Sequence, residues 1–250
     1  MPPGADVVTR WLERYRAGDR VQVWAEMTNI GADLRGTPDW ADAVAVARET
    51  MTRARTNVEL LIELLPAGGY RFRQSPQAVF VPPPADVEAQ LDAFEAKAGR
   101  MPLALRAWYE HVGQVDLTGA HPDWDFAYPD AFVVAAPLDY LASEFAEWEA
   151  DRGTEWDRGD FTLDLAPDSL HKADVSSGPP YGIAVPNDGI DGLFLNERHQ
   201  TTFVNYLRIA FAWGGFPGWN PAAQVLGEWA RPSGPSRSVI REIADRLLPI

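Results

Sequence analysis

Three consecutive prolines, Pro82, Pro83 and Pro84, divide the chain into two parts of different composition. A proline has no backbone N–H to donate and its ring fixes the φ angle, so such a run continues neither a helix nor a central strand. The sequence therefore predicts a stiff joint between an N-terminal helical arm, residues 1–83, and a second domain, residues 84–250. The length of 250 residues fits one large domain or one domain with an extension.

The arm is predicted to be helical. A short helix is expected over residues 6–17, and Thr37-Pro38 supplies an N-cap followed by proline at the first helical position. From there, apolar residues recur at spacings of three and four, which is typical of one helix face. They are Val44, Ala47, Met51, Ala54, Val58, Leu61 and Leu65. This helix of about 27 residues ends at Pro66 and Gly68-Gly69. We expect an antiparallel helical hairpin packed on the second domain, with a dimer zipper as the alternative.

The second part combines helical patterns with short apolar segments. Helices are expected over residues 87–98, 102–112, 137–151, 201–213 and 236–248. Strands are expected over residues 115–117, 131–136, 161–165, 181–185 and 193–195, and the sequence Asn187-Asp188-Gly189 indicates a tight turn between the last two. The order lacks a regular β–α alternation, so the predicted class is α+β. We expect an antiparallel or mixed sheet of about five strands flanked by helices.

The acidic residues are concentrated in the second part of the chain. The formal net charge is -14, and residues 110–197 hold 19 acidic and three basic side chains. A surface of this sign repels phosphate backbones, so direct binding of nucleic acid is not expected. It attracts basic proteins instead. The alternative is that the acidic excess only keeps the protein in solution.

The composition also bears on the cellular compartment. The chain has no cysteine, which excludes disulfide scaffolds, thiol nucleophiles and cysteine-based metal sites. Its first residues lead directly into polar sequence without the zones of a signal peptide. The longest apolar stretch, residues 131–138, is too short to span a membrane. A cytoplasmic location and no membrane partner are expected.

Few patterns indicate catalysis. The chain has no Gly-x-Ser-x-Gly elbow, no P-loop and no dinucleotide fingerprint. Its four histidines include no pair at i and i+4, which excludes a helical zinc site. We therefore expect no catalytic residue, no metal and no cofactor. The alternative is a hydrolase with a carboxylate pair and His171 or His199 as proton carrier.

Residues 121–130 combine three aromatic residues with three aspartates. As a surface loop, this segment would present aromatic anchors surrounded by negative charge, which is the composition of a protein–protein hot spot. The alternative is a structural loop in which Trp124 and Phe126 point inward and the aspartates cap turns. The residues predicted to bind a partner lie in this loop, in the strand before it and in the helix after it. They are Asp116, Asp123, Trp124, Asp125, Asp130, Glu144, Glu147 and Asp151.

A further segment, residues 213–219, is rich in glycine and ends a predicted helix. Such residues permit chain reversal, so a turn that places Phe216 and Trp219 on the core is expected. The alternative is a ligand groove.

Several short motifs follow one another between residues 84 and 220. They are residues 87–99 (VEAQLDAFEAKAG), 101–109 (MPLALRAWY), 112–117 (VGQVDL), 191–197 (DGLFLNE) and the predicted helix at 203–213 followed by 214–219 (GGFPGW). In this order they resemble the SUKH superfamily (the Smi/Knr-like family), which includes a fungal cell-wall synthesis regulator and many bacterial immunity proteins. The chain departs from the family pattern at Met101, where leucine is usual, and at Gly113-Gln114, where two glycines are common.

The resemblance implies an α+β domain without catalysis. For the bacterial branch it also implies a protein that binds and neutralises a toxin made by the same or a neighbouring cell. The charge agrees with a basic toxin domain as partner, because an acidic surface can dock in the basic cleft of a nuclease. The alternative is a housekeeping regulator or scaffold of the same fold. In either case a monomer or a weak homodimer is expected.

Overall fold

The computed structural model describes residues 10–124, 130–175, 178–221 and 235–250, which form an α+β fold as predicted. The helices are α1 (Trp11–Ala17), α2 (Arg20–Ile30), α3 (Trp40–Ala67), α4 (Pro76–Val79), α5 (Val87–Ala98), α6 (Leu103–His111), α7 (Leu138–Asp151), α8 (Phe203–Ala212) and α9 (Pro235–Ala244). The strands are β1 (Arg71–Phe72), β2 (Phe80–Val81), β3 (Gln114–Asp116), β4 (Gly119–Ala120), β5 (Val133–Val134), β6 (Thr162–Ala166) and β7 (Tyr181–Ala184). Short 3-10 turns lie at Gly31–Gly36, His171–Ala173 and Pro217–Trp219.

Helix α3, with 28 residues, confirms the predicted apolar stripe. Of the stripe, Val44 is half-buried and the other members are buried: Ala47, Met51, Ala54, Val58, Leu61 and Leu65. Helices α1, α6 and α9 pack against α3. The stripe is therefore covered within the chain, which excludes a dimer zipper through this face. The predicted cap is wrong, because Asp39 occupies the N-cap position and the Thr37 hydroxyl donates to the Leu34 carbonyl in the preceding turn.

Asn57 is a buried polar residue on the inner face of α3. Its Nδ2 donates to the Leu248 carbonyl at 2.8 Å, and its Oδ1 accepts from the Leu248 N–H at 2.7 Å. An asparagine amide pairs with a peptide group in this way because both present one donor and one acceptor. The two hydrogen bonds hold the end of the chain against the longest helix.

The proline run is packed against the second part of the chain. Strand β2, which precedes Pro82, pairs antiparallel with β3. Gly113 lies beneath the run with φ +95°, and a Cβ at this position would lie 2.3 Å from the Val81 carbonyl oxygen. Only glycine fits here, because the backbone is left-handed and the proline segment crosses it at contact distance.

The two predicted domains share β-sheets and a hydrophobic core. Strand β1 pairs with β4, just as β2 pairs with β3, so strands before residue 83 form sheets together with strands after it. One cluster of buried side chains includes Leu61 of α3, Trp108 of α6 and Phe203 of α8. The boundary at residue 83 stays a prediction of the sequence. The contacts across it are those of a continuous hydrophobic core.

The strands form three small antiparallel sheets, with the orders β1-β4, β2-β3-β5 and β6-β7, instead of the single predicted sheet of about five strands. One hydrogen bond, from the Ala135 N–H to the Leu165 carbonyl at 3.0 Å, joins the second sheet to the third. Pairing does not continue further because Pro137, Pro167 and Pro186 follow β5, β6 and β7 within three residues. A proline cannot donate a ladder hydrogen bond, so each strand remains short.

Replacing Asn57 with alanine tests the link between α3 and the chain end. Asn57→Ala removes both hydrogen bonds to Leu248 and leaves a small cavity, so we expect a loss of about 2 kcal/mol in the free energy of unfolding. Thr52→Ala, at an exposed position of the same helix, is the matched control and is expected to change stability by less than about 0.5 kcal/mol. Urea denaturation measures both. Equal stability of the two variants would contradict this role of Asn57.

Candidate functional site

Helix α7 presents carboxylates along one flank. Leu141 and Phe145 of this helix are buried against the core. Glu144, Glu147 and Asp151 recur at spacings of three and four, so they lie in one row beside that buried face. Within the described ranges, none of the three makes an ion pair.

Asp164 of β6 extends this row of negative charge. It is half-buried, and burial is the main cause that raises its pKa, with the Glu144 carboxylate as a second cause and Arg158 opposing both. Burial is also the main cause that raises the pKa of Tyr140, and the carboxylates of Glu144 and Asp164 raise it further. We call Glu144, Glu147, Asp151 and Asp164 the acidic flank. In the described part of the chain no ion pair joins these four carboxylates to a guanidinium or ammonium group.

The loop after α7 presents an exposed tryptophan. The side chain of Trp156 is 69% exposed. The loop is held by Asp157, whose carboxylate accepts the N–H groups of Gly153 at 2.8 Å and Gly159 at 2.9 Å. These two hydrogen bonds lower the pKa of Asp157. An indole on an ordered loop is the type of side chain that anchors protein–protein interfaces. Trp156 was not among the residues predicted to bind a partner. Its position between Glu155 and Asp157, with no apolar neighbour in the chain to bury it, was the signal in the sequence that it would be exposed.

Several acidic residues of the first part of the chain are arranged differently, because they pair with arginines. Arg14 pairs with Asp19 at 2.6 Å and with Glu26 at 2.5 Å, and Arg16 and Arg53 both pair with Glu49. Opposite charges at these distances cancel most of the surrounding field. The surface of the arm is therefore nearly neutral over these pairs.

In the described ranges, no arginine of the arm forms an ion pair with the acidic flank. Among the described residues, the ion pair that joins residues 1–83 to residues 110–197 is Arg73 with Asp174, at 2.9 Å. Arg106 of α6 pairs with Asp92, Glu95 and Glu110. None of these cations reaches α7.

Asp130 was predicted to lie on the partner-binding surface, and this prediction is wrong. Its side chain is fully buried. Lys172 Nζ lies 2.7 Å from Asp130 Oδ1, and the Tyr181 hydroxyl donates to Oδ2 at 3.2 Å. The sequence could not show this, because the lysine comes from a 3-10 turn more than forty residues away. A buried carboxylate requires such partners.

Asp116 and Asp123 also lie outside the acidic flank. Asp116 Oδ1 accepts from both the N–H and the hydroxyl of Thr118, and its Oδ2 accepts from Gln74 Nε2 at 2.9 Å. It therefore caps the turn between β3 and β4. Asp123 is exposed, and Asp125 lies outside the described residues.

Trp124 packs inward. It is half-buried, stacks on His121 with ring centroids 4.7 Å apart, and contacts the rings of Phe216 and Trp219 at about 5 Å. Of the two alternatives for the loop at 121–130, this contact favours the structural one for Trp124. Phe216 and Trp219 are buried, which confirms the predicted turn at 213–219.

The histidines make local contacts with carboxylates. His171 Nδ1 contacts the Asp168 carboxylate, and His199 Nδ1 contacts the Glu197 carboxylate. Asp174 pairs with Arg73. Among the residues that the structure describes, no group of three histidine, aspartate or glutamate side chains is placed to hold a metal ion.

Comparisons of the chain with protein-family models, with curated proteins and with solved structures find no match. The resemblance to the SUKH superfamily therefore stays a prediction from short motifs. In the described ranges, no helix combines the length and the apolar character needed to cross a bilayer.

Removing the buried ammonium tests the role of Asp130. Lys172→Met leaves the Asp130 carboxylate buried without its closest cation, so we expect the free energy of unfolding to fall by about 3 kcal/mol. The double variant Asp130→Asn with Lys172→Met removes both charges and is expected to regain part of this loss. Urea denaturation at neutral pH measures the three proteins. A Lys172→Met variant as stable as the original would contradict the assignment.

Proposed function

We propose that this chain is a non-catalytic protein-binding protein whose acidic flank binds a basic protein partner. The observation that carries the proposal is the row Glu144, Glu147 and Asp151, which is free of ion pairs in the described part of the chain, whereas Asp19, Glu26, Glu49 and Glu59 of the arm pair with arginines. The partner is a toxin domain, and the chain acts as its immunity protein. The fold is then of the SUKH type, the location is cytoplasmic, and the protein is a monomer or a weak homodimer.

The energetics of α7 support this proposal. Like charges three and four residues apart destabilise a helix by roughly 0.2–0.5 kcal/mol per pair. The chain retains two such pairs on one flank, Glu144 with Glu147 and Glu147 with Asp151, and Asp164 acts on Glu144 as well. Lysine and arginine side chains of a partner would convert this repulsion into attraction and would accelerate the encounter of the two proteins.

Exposed aromatic side chains near the flank support a protein as the partner. Tyr140 is 45% exposed and lies in the same row of α7, one turn before Glu144. Trp156 is presented by the loop that follows the helix. Aromatic anchors beside charges provide contact area and steering together, which is typical of tight and rapidly formed complexes.

The hydrolase alternative has less support. It needs a carboxylate pair with a histidine as proton carrier. Glu144 and Asp164 line one cavity of about 290 Å³, and neither His171 nor His199 lines it. Both histidines contact other carboxylates instead.

Neutralising the acidic flank tests the function. The probe is the protein encoded beside this chain, with its toxic activity inactivated by mutation. For Glu144→Gln, Glu147→Gln and Asp151→Asn combined, we expect the association rate constant to fall about tenfold at low ionic strength and less than about threefold at 0.5 M salt. Stopped-flow fluorescence measures these rates.

The matched control is the combination Glu13→Gln, Glu63→Gln and Glu88→Gln. These residues are exposed and without ion pairs in the described ranges, so the net charge changes by the same amount. We expect the association rate constant of this control to change by less than about twofold, because the charges removed lie on α1, α3 and α5 and not on the acidic flank. Absence of binding, or equal rates for both triple variants, would refute the proposal.

A further inference from the structure

A cavity of about 550 Å³ lies between the segment after β6 and the segment that joins β7 to α8. Ser169, Tyr181, Asn196, Arg198 and Gln200 contribute to its wall. No residue of the acidic flank lines it. A cavity of this size can enclose a small organic molecule.

Arg198 is a buried cation in this wall without a full set of partners. Its side chain is only 5% exposed, and its Nη1 is buried without any hydrogen-bond partner in the part of the chain that the structure describes. Its Nε lies 3.9 Å from Asp130 Oδ2, which is too long for a hydrogen bond. Asp130 already binds Lys172 at 2.7 Å and the Tyr181 hydroxyl at 3.2 Å. Two cations are thus buried beside one carboxylate.

The other carboxylates of the cavity are engaged elsewhere. Asp168 accepts the Leu170 N–H at 2.8 Å and contacts His171. Glu197 accepts the His199 N–H at 2.8 Å and contacts the ring of the same histidine. Neither forms an ion pair with Arg198. A buried guanidinium nitrogen without a hydrogen-bond acceptor is costly, and a bound anion would supply that acceptor.

The backbone around Arg198 is held in an uncommon conformation. Asn196 has φ 63° and Gln200 has φ 51°, both in the left-handed region. Asp130, next to the guanidinium, has φ 46°. A non-glycine residue in this region costs about 1 kcal/mol, and such residues cluster at ligand sites. Here the strained positions lie on both sides of the arginine that lines the cavity.

We propose that this cavity is a binding site for a small molecule or chain end that carries one carboxylate group. The Arg198 guanidinium donates to the two carboxylate oxygens, a planar arrangement that suits this pair of groups. A carboxylate supplies the missing acceptors with a single negative charge, whereas a phosphate dianion would be repelled more strongly by Asp168 and Glu197, which line the same cavity. Leu193 and Pro179 in the same wall contact the apolar remainder of the ligand.

Titration of the full chain with sodium acetate, followed by 1H–15N NMR at constant ionic strength, tests the proposal. We expect saturable shifts of the amides of Leu195, Arg198 and Gln200, and for Arg198→Gln an affinity lower by about tenfold. Parallel titrations use the dipeptide N-acetyl-Ala-Leu and inorganic phosphate. Tighter binding of the dipeptide than of acetate would assign the site to a peptide carboxyl terminus, and equal binding would assign it to free organic acids; both support a carboxylate site.

A second variant is available because Arg198→Gln removes a buried charge and can fail to fold. Gln200→Glu places a negative charge at the exposed rim of the cavity, and we expect it to weaken acetate binding about fivefold. Gln77→Glu, at an exposed position that does not line the cavity, is the control and should leave the affinity unchanged. Non-saturable shifts, equal affinity of Gln200→Glu and Gln77→Glu, or tighter binding of phosphate than of acetate would overturn the proposal. The titration contains no protein partner, so its failure and that of the proposed function are distinguishable.

Discussion

The small number of cations in the second part of the chain is the constraint on which its structure depends. Residues 110–197 contain Arg152, Arg158 and Lys172 against 19 carboxylates, so few of these carboxylates can pair with a cation of the same segment. The fold uses Lys172 inside, where a lone carboxylate would be most costly, and pairs it with Asp130. Arg152 lies over the Trp148 ring at 4.8 Å. The carboxylates of α7 consequently face outward without counter-ions in the described part of the chain.

Packing determines where these charges lie. The first part of the chain packs around the buried stripe of α3. Strands β1 and β2 then join it to the second part by pairing with β4 and β3, respectively. Helix α7 contacts α5 and β6, so one of its faces is fixed by Leu141 and Phe145. Beside that face, Glu147 is exposed and Glu144 and Asp151 are half-buried. The acidic flank is therefore a consequence of the core, because a rotation of α7 that hid its carboxylates would expose these two apolar side chains.

Periodicity predicted the helices whose apolar residues form a clear stripe, namely α3, α5, α6, α7 and α8. It missed α2, because the buried residues of that helix, Val23, Trp24 and Met27, are too few for a helical pattern. Glu144, Glu147 and Asp151 were correctly expected to belong to one helix. The burial of Asp130 and the exposure of Trp156 depend on distant contacts, which no local pattern reports. The division into three sheets depends on the prolines that follow the strands. These prolines are visible in the sequence, but they do not show how many backbone hydrogen bonds each pair of strands will form.

Solvent paramagnetic relaxation enhancement with a cationic and an anionic nitroxide measures the electrostatic potential around α7. The ratio of the two enhancements at each amide proton reports the local potential there. For residues 140–151 we expect enhancement by the cationic probe at least about threefold stronger than by the anionic probe at low salt. For the exposed amides of α3, where Glu49 and Glu59 are paired with arginines, we expect a ratio near one. Equal ratios on α3 and α7 would contradict an uncompensated acidic flank.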